Sequence, residues 1–209
     1  MKIRPARPQD VEAAAQLLYI SERAVAQASV YDFIFPGSME ERLEKIAWLY
    51  LNGYETVNYY EKYKVAEIDG EVASILCTSV SEDDRLGHWF NALRRMGFSR
   101  LEFAAMLWRI RFYWKVDIRF PDNILIIGNV ATFPRFRRQG TAKALLEDAL
   151  AQARREVYDE IQLSVMIGND AAQEAYEKMG FKVVETKTSP TLEKKLGCTG
   201  YHRMALKLL

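Results

Sequence analysis

Residues 137–142 read Arg-Arg-Gln-Gly-Thr-Ala and stand between an apolar run at 122–131 and an alanine- and leucine-rich run at 141–155. A strand that passes into a helix through such a turn leaves the first N–H groups of the helix unpaired and adds the positive end of its dipole. Arg137 and Arg138 bring charge to the same point, Gly140 puts no Cβ in the way of a ligand, and Ala142 extends the small-residue surface along the first helical turn. The chemistry that suits this group is capture of an anion, and a diphosphate would use all of it. The chain has neither the Gly-Lys-Ser/Thr end of a phosphate loop nor a Gly-x-Gly-x-x-Gly run after a strand, which disfavours those two nucleotide-binding classes.

The elements that must position this turn follow from periodicity. Lys2 to Arg7 is a short strand, and Pro8-Gln9-Asp10 starts a helix with Asp10 as its N-cap. Tyr31 to Ser38 reads as an aromatic loop, and Ser38-Met39-Glu40-Glu41 as a capping box for a second helix carrying Leu43, Ile46, Ala47 and Tyr50. Asp69-Gly70 supplies the positive φ angles of a tight hairpin between strands 64–68 and 71–79. Beyond the turn, 161–167 alternates as a strand, Asn169 and Asp170 can cap a helix over 171–179 that stops at Gly180, and 181–186 and 201–208 are closing strands. Residues 81–121 interrupt this order with a helical insertion in what reads as a single domain spanning 1–209.

The totals restrict the partners. The 29 basic and 28 acidic residues leave a formal net charge of +1, so nucleic acid is not an expected partner and any anion site is local. Cys77 and Cys198 lie far apart without metal-type spacing, which fits a reduced intracellular protein. The first five residues lack the apolar stretch of a signal peptide, and no run approaches the ~20 apolar residues needed to span a bilayer. A cytoplasmic protein without integral membrane association is expected.

With these elements in order, the sequence resembles the GCN5-related N-acetyltransferase family. The family's acetyl-CoA motif, Arg/Gln-x-x-Gly-x-Gly/Ala after a strand, is matched by Arg137-Arg138-Gln139-Gly140-Thr141-Ala142. Its next motif is matched in order by the strand 161–167, Asn169, Ala172, Tyr176 and Gly180-Phe181. The resemblance implies an α/β chain of the α+β kind: the acetyltransferase fold, with a central mixed, mostly antiparallel twisted sheet flanked by helices, here with the helical insertion added. It implies acetyl-CoA as acyl-donor substrate, an amine acceptor and no metal. The coenzyme-binding residues it implies are Val130, Ala131 and Thr132 on a splayed strand, the turn Arg137 to Ala142 with Gln139 and Thr141, and Asn169 and Tyr176.

Acyl transfer from a thioester to an amine needs positioning, a neutral amine, an oxyanion donor and a proton for the leaving thiolate. The resemblance assigns that proton to Tyr176 and the oxyanion to a backbone N–H near Val130. Many family members carry a Glu on the strand before the motif, where this chain has Ile126-Ile127-Gly128-Asn129. Asn129 could orient a water, the amine could lose its proton through a water chain, or Asp32 or Asp122 could act from the periphery; a water-mediated route is favoured. His88 and His202 are weaker candidates, and Cys77 reads as a core residue.

The insertion interleaves aromatic residues with arginines between 86 and 119, with Glu102 and Asp117 its only acids there. It could close over the acceptor, form a homodimer interface, touch a membrane surface or simply be a pair of amphipathic helices packed on the sheet, and packing together with one wall of the acceptor pocket is favoured. Its basic character suggests a carboxylate-bearing acceptor. Two other readings remain open for the whole chain, an acyl-CoA sensor without turnover and a scaffold.

Overall fold

The computed structural model describes residues 1–81, 86–116 and 120–208. The hairpin turn is formed by Asp69 and Gly70 at φ 50° and 86°, both left-handed, as a type I′ turn requires. It joins β2 (Tyr63–Ile68) to β3 (Glu71–Ser79). With β1 (Lys2–Pro5), β4 (Leu125–Thr132), β5 (Glu160–Met166), β6 (Lys182–Thr188) and β7 (Gly200–Lys207) they build one seven-stranded sheet in the order β1-β2-β3-β4-β5-β7-β6. Only β4 and β5 run parallel; every other neighbouring pair is antiparallel. This is the α+β architecture expected.

Alternation along the strands divides the core in two. Val65 and Ile75 point to one face, where α1 (Val11–Arg23) and α3 (Met39–Asn52) bury Leu17, Leu18, Ile46 and Leu49. Their neighbours Ala66 and Leu76 point to the other, against Leu145, Leu146 and Ala149 of α6 (Thr141–Arg155). On that face Ile161, Leu163 and Val165 of β5 join the same cluster, as does Tyr176 of α7 (Asp170–Lys178).

The segment read as an insertion is mostly helical over its described part. It forms α4 (Leu86–Arg95) and α5 (Arg100–Ile110), separated at Gly97, whose φ is 104°. Ser99 caps α5, accepting from the Glu102 N–H at 3.2 Å while Glu102 reaches back to the Ser99 N–H at 2.8 Å. Ala92, Leu93 and Met106 are buried against the α1/α3 face. Asp117 and Arg119 of the basic-aromatic stretch, and 82–85 at its start, lie outside the described residues.

Three local expectations need correction, and one element was not foreseen. Asp10 does not cap α1 with its side chain; the carboxylate accepts from the Arg7 N–H at 2.8 Å and from the Arg4 guanidinium at 2.7 and 2.8 Å. Tyr31–Ile34, read as loop, is a helical turn, α2. The stretch after 186 holds a short helix, α8 (Pro190–Leu196), with Ser189 as N-cap, proline at its first position and Gly197 left-handed at its end. Finally, β4 starts at Leu125 rather than at residue 122, after a turn in which Asn123 has φ 61°.

Candidate active site

β4 pairs with β5 only through Leu125, Ile126 and Ile127. Beyond that point the two strands part, and a cavity of about 600 Å³ opens between them, lined by Gly128 to Thr132 on one bank and Leu163 to Met166 on the other. At its far end lie Arg137, Arg138, Gly140, Thr141, Ala142 and Lys143. Arg138 and Gly140 are both left-handed, φ 62° and 79°, on either side of Gln139, so the turn curls its N–H groups toward one concavity. The first internal bond of α6 runs from the Ala144 N–H to the Gly140 carbonyl, so the N–H groups of the preceding turn are left for a ligand. A Cβ on Gly140 would meet no protein atom within 4 Å and would project into open space.

Of the residues expected to hold the coenzyme, Val130, Ala131, Thr132, Arg137, Arg138, Gly140, Thr141, Ala142, Asn169 and Tyr176 all line this cavity. Gln139 does not; its side chain donates to the Arg135 carbonyl at 3.2 Å. Thr141 is buried, and its hydroxyl accepts from Ser74 Oγ at 2.6 Å, while Ser74 also meets Thr132 Oγ1 at 2.7 Å. This hydroxyl cluster ties β3, β4 and α6 together beneath the turn, which leaves the Thr141 backbone for the ligand. The Asn169 amide makes no capping bond to α7, so its side chain is not committed to the helix. Lys143 adds a third cation that the motif alone did not mark.

Tyr176 is 8% exposed and packs edge-on to Phe181 with ring centroids 6.1 Å apart. Burial pushes its phenol up to about 12, so it holds its proton at neutral pH.

Asn129 marks the point where β4 bends. Ile75 pairs with Ala131 and Cys77 with Gly128, so two steps along β3 answer to three along β4. Asn129 absorbs the extra residue with φ 49°, a conformation asparagine tolerates better than most, and its Nδ2 donates to Tyr63 Oη at 2.8 Å. Burial keeps the Tyr63 phenol well above its ordinary value, hence neutral. This amide, expected to orient a water, has a structural partner and a structural reason to be there.

A second cavity of about 700 Å³ meets the first at this bend. The two share Glu22, Tyr113, Ile127, Gly128, Asn129, Ser164 and Tyr201. Leu86, Trp89, Met106, Ile110, Tyr113, Trp114 and Val116 from the 81–121 segment form one wall. Tyr113 and Tyr201 join hydroxyl to hydroxyl at 2.6 Å across the junction. Burial, then neighbouring Tyr201 and Glu22 for Tyr113 and Glu22 for Tyr201, raise both phenols well above their usual value.

Glu22, at the last turn of α1, is thus the carboxylate at the junction that the strand lacks. A glutamate at the end of an amphipathic helix carries no mark in sequence. Neither peripheral candidate lines either of these cavities: Asp32 accepts from Tyr19 Oη, the Ser29 N–H and Arg42, and Asp122 from Ser81 Oγ. His88 and His202 line neither cavity, and His202 Nδ1 is paired with Thr186 Oγ1 at 2.8 Å. Both cysteines are buried; Cys77 touches the second cavity with its sulfur toward the Val57 carbonyl, and burial raises the Cys198 thiol. Among the described residues no helix is long and apolar enough to cross a membrane.

Comparison with known proteins gives relatives in sequence and in fold. A 55-residue stretch is 44% identical to N-alpha-acetyltransferase 30 of Saccharomyces cerevisiae and covers 26% of this chain and 31% of that protein. The chain spans less than a third of the length of the sequence relatives it matches. Over the full length of both chains the fold is similar to a crystallised acetyltransferase, with a TM-score of 0.72 at 21% identity. It is also similar to an N-acetyltransferase from Staphylococcus aureus Mu50, with a TM-score of 0.70 at 20% identity over 99% of this chain and all of that one. A family model described as the acetyltransferase (GNAT) family matches residues 28–181, a span that takes in the splayed strand, the turn at 137–142, Asn169 and Tyr176. This chain therefore belongs to the GNAT acetyltransferase family, whose acyl donor is acetyl-CoA.

Proposed function

We propose that the chain transfers acetyl from acetyl-CoA to a primary amine by direct attack in a ternary complex. The observation that carries this reading is the meeting of the two cavities at Asn129, Ser164 and Tyr201, where both are lined by the carboxylate residue Glu22 and from which the first runs to a cationic turn. Acetyl-CoA lies in the first, its diphosphate on the N–H groups and cations of 137–143 and its pantetheine arm along the free edge of β4. The acetyl group then reaches the junction, and the amine enters from the second.

Glu22 takes a proton from the ammonium group, directly or through a water. The neutral nitrogen attacks the thioester carbonyl carbon, and the oxyanion is held by a backbone N–H near Val130. As the tetrahedral intermediate collapses, the C–S bond breaks and Tyr176 donates to the departing sulfur. The proton shed by the new amide nitrogen ends on sulfur by way of the tyrosine, which remains a phenol, and Glu22 passes the proton it took to solvent, so one ammonium yields amide, free thiol and one released proton. Glu22 also removes the motive for a sensor without turnover, which was the missing strand carboxylate.

The test is in two parts. Acetyl-CoA raises the melting temperature of the protein, because it binds the folded state alone. Glu22→Gln retains that rise and lowers turnover at neutral pH by about 10²- to 10⁴-fold, the range for loss of a general base. An unchanged melting temperature at millimolar acetyl-CoA overturns the donor reading, and full turnover in Glu22→Gln overturns the base.

A further inference from the structure

The helix α5 is apolar on two opposite sides. At about 100° per residue, Phe103, Met106, Leu107 and Ile110 fall together and pack against the α1/α3 core cluster. Leu101, Ala104, Ala105 and Trp108 fall together on the other side, and all four are exposed, Leu101 at 83% and Trp108 at 66%. A surface helix that packs on one side only carries polar residues on the other, so this outer stripe lacks the usual reason to be apolar.

The charge around the stripe has one sign. Between 86 and 116 the chain carries six basic residues and a single acid, Glu102. That acid is held in the capping box of Ser99, at the start of α5. The other acids of 81–121, namely Glu82, Asp83, Asp84 and Asp117, lie outside the described residues. Arg109 turns inward to donate to the Phe33 carbonyl at 2.7 Å, and Arg95 pairs with Glu55. Arg100 and Arg111 remain exposed, and both lie about 80–100° to the same side of the Leu101–Trp108 line, one at each end of the helix. The Arg111 guanidinium sits over the Trp108 ring at 3.9 Å, which joins cation and indole in one amphipathic group. No described arginine of this segment lines the second cavity, so its charge serves something other than that pocket.

We propose that the outer face of α5 docks on an anionic phospholipid surface. Leu101 and Trp108 enter the headgroup boundary, where an indole is favoured, and Arg100 and Arg111 meet lipid phosphates. The whole chain has a formal net charge of only +1, so the attraction belongs to this face and fixes the orientation of the molecule. The inner side of the same helix, through Met106 and Ile110, lines the second cavity, so docking sets that wall beside the bilayer. A second copy is the weaker occupant. Two α5 helices packed antiparallel through Ala104 and Ala105 would set Arg100 of each copy beside Arg111 of the other, like charge on like.

The test is flotation of the full chain with phosphatidylcholine vesicles, pure or with one third phosphatidylglycerol, at low salt and at about 0.15 M salt. The protein floats with the anionic vesicles, less so at the higher salt, and stays behind with pure phosphatidylcholine. Arg100→Gln with Arg111→Gln lowers the partition coefficient about thirtyfold, or about fivefold for each cation removed. Leu101→Ser with Trp108→Ser lowers it by about tenfold or more at unchanged charge. None of these four residues lines either cavity, so each variant keeps the melting temperature and acetyl-CoA response of the parent, which separates loss of docking from loss of fold. No flotation of the parent with anionic vesicles overturns the proposal, as does equal flotation of parent and both double variants. Flotation that the serine variant retains, together with equally tight binding of a DNA oligonucleotide by parent and serine variant, overturns it in favour of a general polyanion site. A dimer in sedimentation that the serine variant abolishes, without flotation of the parent, overturns it in favour of an interface between copies. The acetyl-CoA melting response is read separately, so each of these outcomes leaves the donor site as it stands.

Discussion

Tyr176→Phe separates a chemical role from a packing role more cleanly than any other substitution at this site. Phenylalanine keeps the ring, its edge-on contact with Phe181 and its place in the core beside α6, so the unliganded melting temperature stays close to that of the parent. What is lost is an O–H held protonated by burial, with its pKa at about 12, so that at pH 8 only about one phenol in ten thousand is ionised. A phenol of that acidity is a weaker acid than a thiol, whose reference value is about 8.5, and it therefore acts as a hydrogen-bond donor to developing thiolate more than as a source of free protons. Hydrogen bonds to charged groups contribute about 1.5–3 kcal/mol, which corresponds to a fall in kcat of about 10- to 150-fold. KM for acetyl-CoA and the melting shift it induces stay near the parent values, because the bond strengthens only as charge reaches sulfur. The assay is thiol release with two acetyl donors, acetyl-CoA and an acetyl thioester of a more acidic thiol. A thiol of lower pKa leaves without assistance, so the second donor recovers most of the lost rate. The parent also shows no alkaline loss from this group through pH 10. Equal loss with both donors, or loss of acetyl-CoA affinity in step with kcat, would falsify the assignment and leave Tyr176 as a packing residue.

Gly140→Val combines a left-handed φ with a branched Cβ; the backbone term is about 1–2 kcal/mol, or roughly 2–8 °C for a chain of this size, and the branch fills the space above the start of α6, so calorimetry finds a folded protein that acetyl-CoA no longer stabilises. Retained stabilisation by acetyl-CoA in that variant would remove the diphosphate from this turn. Asn129→Gly keeps the positive φ of the bulge and tests whether the amide does more than hold it, whereas Asn129→Val is destabilised by about 1–3 kcal/mol in urea; similar midpoints for the two would contradict the bulge as the reason for asparagine. Asp10 is buried, which alone would raise its pKa, but the hydrogen bonds from Arg4 and the Arg7 N–H outweigh this and hold it below the usual carboxylate range. The sign follows: its contribution is complete above the unfolded value near 4 and is lost as pH falls through the lower folded value. Urea midpoints from pH 6 to pH 2 fall in the parent over that window more steeply than in Asp10→Asn; parallel curves would show that the carboxylate is not responsible.

The parts of this molecule that were legible in its sequence are those whose cause is local. Asp69-Gly70 demands its turn, Ser38 and Glu41 close their capping box at 2.8 and 3.1 Å, and 161–166 alternates because one face of β5 meets α6. The same holds for α6, whose bounds follow from Gly140 before it and its apolar stripe. Where signals were local but unread, the miss was one of recognition: Ser189, Pro190 and Gly197 bracket α8, and Gly97-Phe98-Ser99 divides the insertion. Asp10 was misread because its carboxylate answers to Arg4, a residue across the chain reversal, and a capping rule considers only the helix that follows.

The two halves of the candidate site differ in the same way, and the difference is physical. A site for a diphosphate is made from backbone N–H groups in one short turn, so six adjacent residues announce it, and side chains there are free to pack elsewhere, as Thr141 does on Ser74. A site for an amine is made from side chains, and those that meet at the junction come from the end of α1, the bend of β4, β5, β7 and the segment after α5. None of Glu22, Tyr113, Ser164 or Tyr201 has a neighbour in sequence that predicts its partner in space. The absence of a carboxylate on the strand before the turn was therefore read as a gap in the chemistry, whereas the junction beside the bend at Asn129 is lined by Glu22, which comes from another element. If the second cavity takes the acceptor, as proposed, a site of this build can exchange it by changing the α4/α5 wall while the donor turn stays intact, which is why the family is legible from its donor side and specificity has to be sought on the other.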